Sequence, residues 1–105
     1  VKYSVAFAPD AREDLRRLYT FLLERARTIE DLVVAERALE AIETATETQL
    51  SASPFIFRKA PGSKGLRREL VVPFGAAGYV VLYEITEPGK VLVLAVRHQR
   101  EEDYQ

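Results

Sequence analysis

At 105 residues the chain has the length of one ordinary domain, so a single fold spanning residues 1–105 is expected, with at most one binding or catalytic region. A net charge of −1 excludes bulk coating of nucleic acid, and the absence of Cys excludes disulfides, thiolate nucleophiles and Cys-based metal sites. The apolar stretches are too short to span a bilayer and no signal-like segment opens the chain, so a soluble, cytoplasmic protein without membrane attachment is expected.

Tyr3, Val5 and Phe7 alternate with Ser4 and Ala6, the period of a strand with one buried face, and Pro9 stops it. Asp10 followed by Glu13 reads as a capping box at the head of a helix from about Ala11 to Arg27. Its apolar stripe is Ala11, Leu15, Leu18, Tyr19, Leu22 and Ala26. A second helix, about Asp31 to Leu50 with Thr28 as cap, carries Ala35, Ala38, Leu39, Ile42 and Ala45 on one side. The short connection between them predicts an antiparallel helical hairpin.

Residues 51–65, rich in Ser, Pro and Gly, read as a loop pinned by Phe55 and Phe57. Three strands follow, Leu66–Val72, Gly78–Ile85 and Val91–Arg97, the last two joined by a tight turn at Glu87-Pro88-Gly89-Lys90. The expected fold class is therefore α+β: an N-terminal strand, an antiparallel two-helix hairpin, then a three-strand antiparallel meander completing one sheet. The last two strands are apolar on both faces, so the face away from the helices needs a cover: a loop, the tail, another subunit or a partner protein.

Charge is segregated along the chain. Residues 10–50 hold six Arg against ten acids, residues 51–100 hold eight basic residues against three Glu, and residues 101–105 add three acids. The single histidine, His98, lies in Val96-Arg97-His98-Gln99-Arg100, where flanking guanidinium groups favour a neutral imidazole able to accept a proton while arginines hold a phosphate. A structural role, ending the strand by bonding to backbone, is the reading the isolated residue favours. A second basic cluster comprises Arg58, Lys59, Lys64, Arg67 and Arg68. Adjacent strand residues point to opposite faces, so only one of Arg67 and Arg68 can join a given site. Tyr104 with the nearby arginines suggests a clamp for a base or phosphate. One His and no Cys leave no expected metal site, and no glycine-rich phosphate loop or other cofactor motif is present.

The order of these motifs resembles the RelE/ParE superfamily of type II toxin–antitoxin toxins, which includes plasmid stabilization proteins. Tyr3-Ser4-Val5-Ala6-Phe7-Ala8-Pro9-Asp10-Ala11 with Asp14-Leu15 is similar to the family's first strand and helix start. Leu66-Arg67-Arg68-Glu69-Leu70-Val71, Gly78-Tyr79-Val80-Val81-Leu82-Tyr83 and Val96-Arg97-His98-Gln99-Arg100 are similar to its later strand motifs. The resemblance implies a growth-arresting toxin in a hetero-oligomer with a cognate ParD-like antitoxin, small and with a charged helical C-terminal half. It also implies one of two targets. ParE-like members inhibit DNA gyrase; RelE-like members cleave mRNA on the ribosome, for which His98 and Tyr104 would be the proton-transfer candidates. Arg58, Lys59, Arg68, Arg97 and Arg100 would contact phosphate or target in either case. Gly75 stands where RNase-type members tend to carry arginine, which favours the ParE-like branch.

Overall fold

The computed structural model describes residues 2–104. Strand β1, Ser4–Phe7, leads through Ala8 into helix α1, Pro9–Arg25. Pro9 sits at the first helical position, where its fixed φ suits the helix and its missing N–H is not needed. The expected capping box at Asp10 and Glu13 does not form: the cap is Ala8, with no side-chain bond, and Glu13 pairs with Arg16 at 2.7 Å. The helix also starts and stops two residues earlier than expected. Ala26 turns extended, with ψ 134°.

A reciprocal cap occurs instead at α2, Ile29–Ala52, where Thr28 Oγ1 accepts the Asp31 N–H at 3.1 Å and the Asp31 carboxylate accepts the Arg27 N–H at 2.9 Å. The 51–65 segment is less irregular than its composition implies. It begins with the end of α2 and contains a two-residue strand β2, Arg58–Lys59. Phe57 packs on the core, whereas Phe55 stays 57% exposed, edge-on to Tyr3 at 5.9 Å.

Strands β3 (Arg67–Phe74), β4 (Ala77–Glu87) and β5 (Lys90–His98) form the expected meander. Pro88 and Gly89 make the turn, Gly89 adopting φ +80°. The sheet differs from the expectation in strand number and direction. It has five strands in the order β1-β5-β4-β3-β2, and β1 runs parallel to β5, Ser4 opposite Lys90 and Phe7 opposite Val93. The sheet is therefore mixed. Among the described residues no helix is long and apolar enough to cross a membrane.

One sheet face holds the core. Leu70, Val72, Tyr79, Val81, Tyr83, Val91, Val93 and Val96 meet Ala11, Leu15, Leu18, Ala38, Ile42 and Leu50 from the helices. Tyr83 is fully buried and its hydroxyl donates to the Pro54 carbonyl at 2.7 Å, fastening the segment after α2 to the sheet. Beyond Phe7, β5 has no strand on its outer side among the described residues. There α1 substitutes: Asp14 accepts the Val96 N–H at 2.9 Å and Arg17 donates to the Val96 carbonyl at 3.5 Å. Two helix side chains thus satisfy backbone groups that a longer β1 would have paired.

Val80 and Leu82 face away from the helices yet are only 0% and 8% exposed. Arg97 lies opposite Val80 and Glu69 opposite Leu82 in the register, and Tyr104 bridges the two by stacking under the Arg97 guanidinium at 5.1 Å and donating its hydroxyl to Glu69. The cover required by the doubly apolar strands comes from the chain itself at this point, from the segment after β5.

Candidate functional site

Alternation along β3, β4 and β5 sorts the polar residues between two faces. Arg67, Glu69, Glu84 and Arg97 project from the face opposite the helices and, with Arg58, Lys59 and the loop from Ala60 to Ser63, line an open cleft of about 960 Å³. Glu102, Asp103 and Tyr104 form its other wall.

Glu69 organises the floor. It is 4% exposed and accepts from Arg58 Nε at 2.9 Å and from the Tyr104 hydroxyl at 2.6 Å, with Arg97 Nη2 at 3.8 Å. Arg97 itself is spent on the backbone: Nη1 donates to the carbonyls of His98 and Gln99 at 3.4 Å and Glu101 at 2.6 Å, holding the turn after β5. Arg67 approaches Glu84 at 3.6 Å. Three of the four cations lining the cleft are thus paired, and four carboxylates stand against four basic side chains. Lys59 is the exception; it makes no ion pair among the described residues.

The Tyr104 phenol is held well above the usual tyrosine range, first by burial and then by its bond to the Glu69 carboxylate, which favours the protonated form. It is a donor in this setting. His98 occupies the other face. It pairs with Tyr79, whose ring it meets edge-on at 5.4 Å, and Nδ1 accepts the Arg100 N–H at 3.0 Å while the His98 N–H donates to Glu101 at 3.1 Å. Arg68 likewise turns to the helix side, where Nη1 donates to the Phe57 carbonyl at 2.8 Å. Arg100 is exposed in the turn after β5.

Of the residues singled out in the sequence, the fold brings Arg58, Lys59, Arg97 and Tyr104 to one cleft and leaves His98, Arg68 and Arg100 outside it. Arg67 joins the cleft, as the alternation with Arg68 allows for one of the pair. Sequence reasoning missed Glu69 and Asp14. Glu69 had a signal, being the one acid between Glu47 and Glu84 and sitting beside the apolar run Leu70-Val71-Val72. Asp14 had none beyond its place near the apolar stripe of α1.

Comparison with known proteins gives a consistent assignment. A family profile described as "ParE toxin of type II toxin-antitoxin system, parDE" matches residues 5–103. The chain is 37% identical over 98 residues to Toxin RelE3 of Caulobacter vibrioides, covering 93% of this chain and 96% of that protein. Among solved structures, a chain of the chromosomal ParDE system from P. aeruginosa superposes with a TM-score of 0.69 at 13% identity, over 92% of this chain and 96% of that one. A chain of the RelBE2 toxin–antitoxin complex from Mycobacterium tuberculosis gives a TM-score of 0.59 at 23% identity, over 93% and 99%. These two share the fold; the profile and the 37% identical relative, each spanning nearly the whole chain, go further, and by them the chain belongs to the ParE/RelE family of type II toxin–antitoxin toxins.

Proposed function

We propose that this toxin arrests growth by binding DNA gyrase, performs no hydrolysis of its own, and is neutralised by a cognate ParD-like antitoxin. The observation that carries the reading is the separation of His98 from Tyr104 by the thickness of the sheet, since an acid–base pair for cleaving RNA must reach one phosphate from one side. The cleft adds to it. Its tyrosine is kept protonated, and most of its cations are already neutralised by carboxylates, which weakens any hold on a phosphate chain. The antitoxin is inferred from the ParDE and RelBE2 assemblies that contain the structural neighbours. Gyrase as target requires action in the cytoplasm.

The name of the 37% identical relative, Toxin RelE3, favours a second reading, a ribosome-dependent mRNA endoribonuclease, so the test must separate the two. Purified toxin is added in excess to gyrase and relaxed plasmid, and mRNA from arrested cells is mapped by primer extension. Blocked supercoiling or trapped cleavage complexes with intact coding regions are expected. Unaffected supercoiling refutes the proposal, and new cuts within codons establish the nuclease. His98→Gln is expected to leave growth arrest unchanged; its loss, with the protein still folded, would return His98 to the chemistry.

A further inference from the structure

The helical hairpin carries an apolar surface that the fold does not use. At its tip Phe21 is 49% exposed, Ile29 76%, Leu32 44%, Val33 40% and Val34 47%. Contiguous exposed apolar side chains of this size mark contact surfaces. Those on the outer side of α2 have a specific pattern. With 3.6 residues per turn, Glu30, Val33, Val34 and Arg37 fall within about 100° of one another on one exposed flank of the helix, Val33 turned farthest from the buried Ala35, Ala38 and Ile42 and Val34 next to Ala38.

This stripe is symmetric in its own sequence. About a midpoint between Val33 and Val34, each valine is matched by the other, and Glu30 is matched by Arg37. Glu30 and Arg37 are exposed, and among the described residues neither makes an ion pair. The like-signed pair at equal distance from the midpoint, Asp31 and Glu36, lies off the stripe, and the Asp31 carboxylate is already engaged by the Arg27 N–H. A twofold contact needs one patch to be complementary to itself, residue i meeting j while j meets i.

We propose that the outer face of α2 is a homodimer contact, in which two copies of this chain cross antiparallel with Val33 and Val34 at the centre, and Glu30 of each copy faces Arg37 of the other at both flanks. Residues 30 and 37 lie about 10 Å apart along the helix, so both symmetry-related ion pairs close over a contact two helical turns long. So short a contact lies at the lower end of specific interfaces, and the dimer is expected to be concentration-dependent. It leaves the cleft on the other side of the sheet open and does not depend on what the toxin acts on.

Sedimentation equilibrium on the purified chain, from about 5 to 500 μM, reads this directly. Arg37→Glu and Glu30→Arg each place like charges opposite one another at both flanks and are expected to weaken dimerisation by about tenfold or more. The double variant E30R/R37E restores opposite signs and is expected to return the dimer to within about threefold of the parent. The exposed positions leave the fold intact, which circular dichroism checks. A chain that stays monomeric throughout the range overturns the proposal, as does a dimer indifferent to the single variants or one the double variant fails to rescue. If Arg37→Glu weakens capture of the antitoxin while the parent is monomeric, the stripe belongs to that partner and the proposal fails.

Discussion

Replacing Glu69 by glutamine removes one negative charge from under Arg58, Arg97 and Tyr104 while leaving the side-chain volume almost unchanged. Three contributions set the loss. The Tyr104 hydroxyl bond at 2.6 Å is charge-assisted and buried on the Glu69 side, a class of bond that contributes about 1.5–3 kcal/mol. The Arg58 pair contributes less, about 0.2–1 kcal/mol, because Arg58 is 55% exposed and water competes for it. Arg97 is only 13% exposed but keeps three backbone acceptors, so it is not left stranded when the carboxylate becomes an amide. Glutamine retains one acceptor oxygen and recovers part of the first contribution, giving a net loss of about 2 kcal/mol. With a urea dependence of about 1–3 kcal/mol/M for a small domain, the unfolding midpoint falls by about 1 M. Tyr104→Phe loses the same bond from the other side, so the double variant E69Q/Y104F is less destabilised than the two single effects together, by about 1 kcal/mol. Urea titrations of the four proteins measure all of this. Strict additivity, or a midpoint for Glu69→Gln within about 0.2 M of the parent, would refute the idea that Glu69 docks the segment after β5.

Other substitutions probe the frame that holds the cleft. Gly78→Ala puts a Cβ 2.2 Å from the Val72 backbone carbonyl at the β3–β4 turn, a clash no side-chain rotation relieves; a loss of about 2 kcal/mol or more is expected in thermal or urea unfolding. For Asp14, burial raises the carboxyl above its ordinary 3.8, outweighing the Val96 N–H and Arg17. The stabilisation from this shift is complete below pH 3.8 and is lost as pH rises through the folded value, so at pH 7 the charged form bears its burial cost. Asp14→Asn, which keeps an acceptor for Val96, is therefore expected within about 1 kcal/mol of the parent at pH 7, whereas Asp14→Ala leaves a backbone N–H unpaired and loses about 1–3 kcal/mol. Equal losses for the two, in urea titrations at pH 7, would contradict this. Burial pushes the Tyr83 phenol up to about 12, so the stability it contributes is complete below pH 10 and falls away between pH 10 and about 12; urea midpoints of Tyr83→Phe are expected to decline less than the parent's over that window.

The order of elements was legible because each has a local signature. Period two marks β1, i to i+3/i+4 spacing marks both helices, and Pro88-Gly89 marks the last hairpin. What escaped has no local signature. Strand β2 is two residues long and exists as a strand because Arg58 and Lys59 find Glu69 and Arg68 across the sheet. The neighbour and direction of β1 are fixed by the rest of the chain; an apolar period of two says nothing of either. The capping pattern at Asp10 lost to Pro9, whose preference for the first helical turn starts the helix earlier. In the site, alternation separated Arg67 from Arg68, and the same rule applied to Arg97 and His98 would have put the two candidates on opposite faces from sequence alone. Glu69 was overlooked for the opposite reason. A lone acid among cations reads as solvated charge until the register shows three partners converging on it.

The parallel pairing of β1 with β5 has a consequence for how the toxin comes into being on the ribosome. Its contacts join residues more than eighty positions apart, Ser4 with Lys90 and Phe7 with Val93, and among the described residues β1 has no other strand to pair with. While β5 is still unmade, the first strand has nowhere to go, and the inner face of the sheet lacks Val91, Val93 and Val96. Helices α1 and α2 and the β3–β4 hairpin are local and able to form first, but closure waits for β5, far from β1 in sequence. The sheet therefore closes only once β5 has been made, and a copy that stops before Arg97 cannot present the finished cleft, lined as it is by Arg97, Glu102, Asp103 and Tyr104.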